Sequence, residues 1–358
     1  MKRTDIEWTA NHLPDGTTEP GLSSNPLQYR TPDGKVVWAC VKHSSGCANC
    51  YSEAIAHHWE RGKPFTRANM AELTPFLAEE ELYHILTAKK IAGKPVAGSK
   101  CFLGDMTDVF GEWVPDHLLD TLFATMAMRR DVTFQILTKR ADLMRDYFGN
   151  PDRKRKIAAK VMDLSEMLAR QRQSHTARLK LDDFSAAFAG SGPIRNIWLG
   201  VSVENQAAAD ERSPHLLATP AAVRFLSCEP LLGALHLRPY LGDADEQYQH
   251  FSRPVGIDWA IVGGESGHGA RPFAVEWGRS LVQQCRAAGV ACFVKQLGAV
   301  IHATSILDPL DQFPGGGKSH CQGPGEDTIE LRLKNAKGGD MAEWPEDLRV
   351  REFPRAAA

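Results

Sequence analysis

The sequence predicts an α/β protein whose centre, residues 36 to 300, is a partial or full (β/α) barrel. Three observations carry this. Continuously apolar, β-branched runs recur along the chain, each the pattern of a strand buried on both faces. Segments with helical spacing separate them, and alternation of this kind demands a parallel sheet with right-handed crossovers. Polar side chains gather at the C-terminal ends of the runs, where barrels place their sites. With 358 residues, one barrel with insertions fits as well as two modest domains. A doubly wound open sheet is the competing arrangement.

Taken in order, residues 1 to 35 hold little periodicity and much Gly, Pro, Asn and Ser, and read as an irregular lead-in. The expected strands are VVWAC (36 to 40), KCFLGD (100 to 105), VTFQILTK (132 to 139), NIWLGVSVE (196 to 204), VRFLSCE (223 to 229), DWAIVGGE (258 to 265) and ACFVKQLG (291 to 298). The expected helices include 115 to 130, 205 to 219 and 274 to 289, the last stopped by Gly289. Residues 151 to 190 interrupt the rhythm with a basic helical insertion, either a solvated helix pair or an electropositive arm for nucleic acid. Residues 301 to 358, rich in Gly and Pro with one short strand at TIELRLK, read as a C-terminal extension.

Composition sets the outer limits. The chain is 43% hydrophobic and 24% charged, ordinary for a globular protein and far from the composition of disorder. No run approaches the length of a membrane helix, and MKRTDIEWTA has no apolar stretch behind its charges, so a cytoplasmic protein is expected. With 42 Lys and Arg against 44 Asp and Glu, capture of nucleic acid by the whole surface is excluded, though a local patch is not.

The strongest motif is Cys40-x6-Cys47-x2-Cys50-Tyr51, three thiols in a polar loop. Three thiolates can hold three irons of a [4Fe-4S] cluster and leave the fourth iron open. Zinc would want a fourth ligand, for which His43, His57 and His58 are candidates. Asp105, Thr107, Asp108, Thr138, Lys139, Arg140, Ser202, Glu204, Ser227, Cys228, Glu229, Glu265, Ser266, Lys295 and Gln296 form the polar strand ends.

These residues, with Ile6-Glu7-Trp8-Thr9, Leu137-Thr138-Lys139-Arg140, Ser227 to Gly233, Val262 to Gly267 and Ala270-Arg271-Pro272, carry a resemblance to phage-associated proteins with a three-cysteine motif, themselves distantly similar to radical S-adenosylmethionine (SAM) enzymes. The resemblance covers most of the chain. It departs from the common radical SAM pattern in its six-residue first interval and in Asn49, which replaces the aromatic before the third cysteine. It implies a barrel of the radical SAM type with the cluster on Cys40, Cys47 and Cys50. SAM would lie against Gly104, Asp105, Thr107, Asp108, Lys139, Ser202 and Glu204, and the substrate against Cys228, Glu229, Glu265 and Lys295. It also implies an electron donor such as flavodoxin or ferredoxin, and, given the basic insertion, a nucleic-acid substrate.

Two rival functions stand beside it: a barrel hydrolase pairing Glu204, Glu229 and Glu265 as acid and base, and a zinc-stabilised nucleic-acid-binding protein. Pro314 to Ser319 imitates a phosphate-binding loop but lacks its first glycine and a preceding buried strand, and reads as a plain loop. Cys285 and Cys292 read as core thiols, and Cys228 either as one more or as a hydrogen-atom donor.

Overall fold

The computed structural model describes residues 1–12, 18–59, 62–172, 192–242, 256–304, 313–314, 318–322 and 328–354. The fold is mixed α/β around one large, mostly parallel sheet. Its eight strands are β1 (Lys2–Arg3), β2 (Leu22–Ser24), β3 (Lys100–Leu103), β4 (Thr133–Thr138), β5 (Ile197–Ser202), β6 (Val223–Cys228), β7 (Trp259–Gly263) and β8 (Ala291–Gln296). They hydrogen-bond in chain order. β1 is antiparallel to β2, whereas β2 with β3, β3 with β4, β6 with β7 and β7 with β8 are parallel. Because the order never reverses, there is no topological switch point, and the doubly wound alternative is ruled out.

The sheet is open, so a full barrel is not formed. The outer edge of β8 is taken by the chain's own C-terminal segment: Phe293 bridges Arg351, and Val294 N donates to Val350 O. An edge already paired cannot accept the first strand, which closure would require.

The chain packs as two compact units. The first comprises Met1–His43, Cys50–Leu199 and Ala218–Ala222, and the second Ser44–Asn49, Gly200–Leu217 and Val223–Ala358. Six of the seven expected runs become strands of the main sheet. The exception is 36 to 40: Val36–Val37 pairs antiparallel with Leu27–Arg30, which also pairs with Thr74–Leu77, in a separate three-stranded sheet. The parallel strand expected there is instead Leu22–Ser24, inside the lead-in read as irregular. Three residues are too short for a periodicity to register, yet Leu22 is fully buried and Leu22, Ser23 and Ser24 pair in register with Cys101, Phe102 and Leu103.

In the first unit Trp8 packs on Phe102 at 4.7 Å, and Phe110, Phe123, Tyr147 and Phe148 form an aromatic cluster. In the second, Trp259 sits among Phe225, Phe293 and Phe353. The expected extension belongs to this unit's core: Trp344 and Leu348 are buried, and Thr328–Arg332 pairs antiparallel with Ile301–Thr304 and Lys318–Gln322. Residues 315–317 of the loop resembling a phosphate site lie outside the described residues. Among the described residues no helix is long and apolar enough to cross a membrane.

The described part of the basic insertion is the helix Arg153–Arg172; residues 173–190 lie outside the described residues. It buries Ile157, Val161, Leu164 and Leu168, one stripe at helical spacing, and packs against the helix Asp116–Met128. Arg153, expected in an electropositive arm, is itself buried. It bonds Asp116 at 2.6 Å and Asp120 at 2.7 Å and stacks over Tyr147. Arg155 and Lys160 pair with Asp152 and Asp163. Arg153→Leu strands the buried Asp120 carboxylate and should destabilise the protein by about 3 to 5 kcal/mol. Urea unfolding checks this, and a change under about 1 kcal/mol would mean that Arg153 does not anchor the helix.

Candidate functional site

None of the three motif cysteines is in a disulfide, and each is partly exposed. Cys40 and Cys50 belong to the first unit and Cys47 to the second.

In the first unit Cys40 and Cys50 rest against one small apolar cluster of Ala56, Phe65 and Met106. Cys40 also lines a cavity of about 420 Å³, with Val37, Ala39, Met70 and Leu73 on its apolar side. Burial pushes the Cys40 thiol up to about 12. Cys50 leads into the helix Tyr51–His58, whose start is held from β3: Tyr51 OH and Ser52 Oγ both donate to the Asp105 carbonyl at 2.7 Å. The Asp105 carboxyl is raised by burial although Asn25 Nδ2 donates to it. Gly104 holds φ +85°, and a Cβ there would stand 2.8 Å from Val109. This turn, which favours glycine, carries the chain off β3 toward Asp105.

Thr107 and Asp108, expected on the cofactor side, spend their polar atoms on the protein. Thr107 Oγ1 donates to the Ala39 carbonyl at 2.7 Å. The Asp108 carboxylate accepts from Thr138 Oγ1, Phe110 N, Lys139 N and Arg140 Nη1, at 2.7 to 3.1 Å. Four donors fill the lone-pair sites of a carboxylate. Arg140 Nη2 continues to the Val41 carbonyl at 3.0 Å. Lys139 contributes its backbone to this network, and its side chain is partly exposed.

In the second unit the loop Ser44–Asn49 carries Cys47 in a 3-10 turn, Ser45–Cys47. Each side of the turn is tied to a glutamate from a strand end. Glu204, 1% exposed, pairs with Arg212 at 2.9 Å and accepts from Gly46 N at 3.4 Å. A Cβ on Gly46 would stand 3.1 Å from the Glu204 Cδ, so the loop's approach relies on glycine. Glu265 receives Arg271 Nε at 2.9 Å and Nη2 at 2.6 Å, together with Asn49 Nδ2 at 2.9 Å, and Arg271 Nη1 donates to the Ser45 carbonyl at 2.8 Å. Burial by itself would raise the Glu265 carboxyl, but the bonds from Arg271 and Asn49 outweigh it and hold the group below its ordinary range. Asn49, which departs from the common radical SAM pattern, thus fastens the loop. Ser202 is buried, and its carbonyl accepts from Arg212 Nη1 at 2.7 Å.

The residues expected to face substrate divide. Glu229 and Lys295 pair at 3.2 Å, both partly exposed. Glu265 belongs to the loop's fastening. Cys228 is fully buried in the core of the second unit, near Cys285, its thiol pushed well above the ordinary range by burial. Full burial is what the core-thiol alternative expects. Each of the three glutamates of the hydrolase reading holds its own cation, Glu204 on Arg212, Glu229 on Lys295 and Glu265 on Arg271. A glutamate forked by arginine is poorly suited to serve as acid or base.

The sequence reading gives no site role to Arg140, Arg212, Arg271, Asn25, Asn49, Tyr29 or Trp113, although Arg140, Arg271 and Asn49 fall within the motifs that it quotes. A signal was present for two of them: Arg212 lies eight residues after Glu204, and Arg271 six after Glu265.

The donor chemistry of the motif fits an iron-sulfur cluster. It offers three partly exposed cysteines outside any disulfide, and Ser44 Oγ nearby in the chain is buried without a hydrogen-bond partner, an orphan that the loop's own contacts do not explain. Of the histidines proposed for zinc, His57 and His58 are exposed, His58 against the Trp59 ring at 5.2 Å. As placed, no group of three His, Cys, Asp or Glu among the described residues could hold a metal ion, so the fit is one of donor chemistry.

A family described as "Protein of unknown function (DUF5131)" matches residues 34–342. The chain belongs to that family. In this DUF5131 chain the match takes in all three cysteines and every expected site residue, and leaves out β1, β2 and the side chains of Asn25 and Tyr29. No curated protein and no solved structure matches the chain.

Proposed function

We propose that this DUF5131 protein is an iron-sulfur enzyme of the radical SAM kind, with Cys40, Cys47 and Cys50 as the cluster's protein ligands. One observation carries the reading: within each unit, residues at the strand ends hold the peptides next to that unit's motif cysteines. Thr107 and Arg140 hold Ala39 and Val41, Tyr51 and Ser52 fix the start of the helix after Cys50 on Asp105, and Arg271, Glu204 and Glu265 hold Ser45, Gly46 and Asn49. Fixed backbone around partly exposed thiols is what a ligand loop needs, because ordering it is then completed on folding and not charged to metal binding. The strand order supports it in outline, since mostly parallel strands paired in chain order are also the order found in an α/β barrel.

A [4Fe-4S] cluster held by Cys40, Cys47 and Cys50 would supply the one electron for reductive cleavage of SAM into methionine and a 5′-deoxyadenosyl radical, an electron that a donor such as flavodoxin or ferredoxin would provide. The chain's own part is to bind and orient. The half-buried Asp105 carboxylate is available to an ammonium group, and the Glu229–Lys295 pair offers a charged, partly exposed surface to the substrate.

Anaerobic reconstitution with iron and sulfide tests this. Protein that retains about four irons per chain, with matching sulfide and broad visible absorption, supports it. Colourless protein holding one zinc, or no metal at all, would overturn it.

A further inference from the structure

We infer that Thr107 and Arg140 are positioning residues for Cys40, joined into one clamp by Trp113. The two peptide carbonyls that flank Cys40 are each taken by one of them, that of Ala39 by Thr107 Oγ1 and that of Val41 by Arg140 Nη2. Thr107 follows β3 and Arg140 follows β4, so neighbouring parallel strands reach the segment from their C-terminal ends.

The direction of the first branch follows from counting protons. Thr107 has one hydroxyl proton and spends it on Ala39. Tyr29 OH, 3.0 Å from Thr107 Oγ1, therefore donates to it, and in turn accepts from Trp113 Nε1 at 2.8 Å. The branch runs Trp113 to Tyr29 to Thr107 to the Ala39 carbonyl, each donor used once. In the second branch the Arg140 guanidinium, 4% exposed, is fixed by Asp108 at 3.0 Å and Glu112 at 3.1 Å, and lies over the Trp113 ring at 4.6 Å. One indole thus supplies the N–H that starts one branch and the face that supports the other. Ordinary strand capping needs neither an arginine reaching past its carboxylate partner nor a buried tyrosine between two hydrogen-bonding neighbours.

The clamp is a property of the chain without metal; that it serves cluster assembly rests on the proposed function. The test therefore has two arms on the full-length protein. In the first, metal-free chain is labelled with iodoacetamide, and the rates at Cys40 and Cys50 are read separately by peptide mass. Cys50 shares the apolar cluster but not the clamp, and serves as the internal reference. Thr107→Val, Arg140→Gln and Trp113→Phe should each raise the Cys40 rate by at least about fivefold relative to Cys50, the local opening expected when one hydrogen bond is lost. Thr107→Ser, which keeps the donor, should not. In the second arm the same variants are reconstituted, and their iron retention should fall while Thr107→Ser matches the parent.

Unchanged Cys40 labelling in variants whose circular dichroism and thermal unfolding match the parent overturns the clamp. So does a rise shared equally by Cys50, which would report general loosening. If the parent itself retains no iron while the Cys40-specific effect persists, positioning stands and the cluster reading falls.

Discussion

Replacing any one of Cys40, Cys47 and Cys50 by Ala is expected to take reconstituted protein from about four irons per chain to below about one. The effect is this large because each thiol is one of only three proposed ligands, and the other thiols among the described residues lie in the core. Cys101, Cys228, Cys285 and Cys292 are all buried, Cys292 held well above the ordinary thiol range by its hydrogen bond with Cys285 and by burial. Each of the four sits on a strand or helix of the core, outside the motif loop. Cys285→Ala and Cys292→Ala should therefore keep the parent's iron, at some cost in core packing. Iron and sulfide analysis of the five variants decides the matter. Equal loss from Cys285→Ala and Cys47→Ala would remove the three-thiol assignment.

Glu204→Leu should destabilise the protein by about 3 to 5 kcal/mol in the absence of any ligand, because it leaves the Arg212 guanidinium, 3% exposed, buried and without its carboxylate. The same change releases Gly46 N in the cysteine loop. The double variant Glu204→Leu with Arg212→Leu should recover much of that loss, since a buried ion pair replaced by apolar groups of similar volume is often near neutral. Denaturant midpoints at constant slope measure both. A role confined to holding SAM predicts the opposite: single and double variants as stable as the parent when no SAM is present. If the single variant loses less than about 1 kcal/mol, the loop's fastening to Glu204 is not what holds it.

The strands of the main sheet were legible because burial on both faces writes itself as unbroken apolar runs. Ile197–Ser202 and Trp259–Gly263 are buried at every residue, as those runs demand. β2 was illegible because it is three residues long and ends in two serines, and Val36–Val37 misled because a short apolar run looks alike in a main strand and in a side hairpin. The rim was legible as a set of positions but not as a set of roles. A glutamate at a strand end reads the same whether it meets a ligand or an arginine eight residues on.

By itself, then, the sequence determined the alternation of strand and helix, the parallel sheet and the three-thiol segment, since each is local and set by the pattern of side chains along the chain. Only the tertiary structure decided that the sheet stays open, that Arg153 anchors a helix, and that Thr107, Arg140, Glu204 and Glu265 are turned toward the cysteine-bearing backbone. Those outcomes depend on partners far apart in sequence: Phe293 with Arg351, Arg140 with Val41, and Glu265 with Asn49. A side chain's hydrogen-bonding capacity is fixed by its type, but where that capacity is spent is settled only when folding removes water and brings a partner within reach.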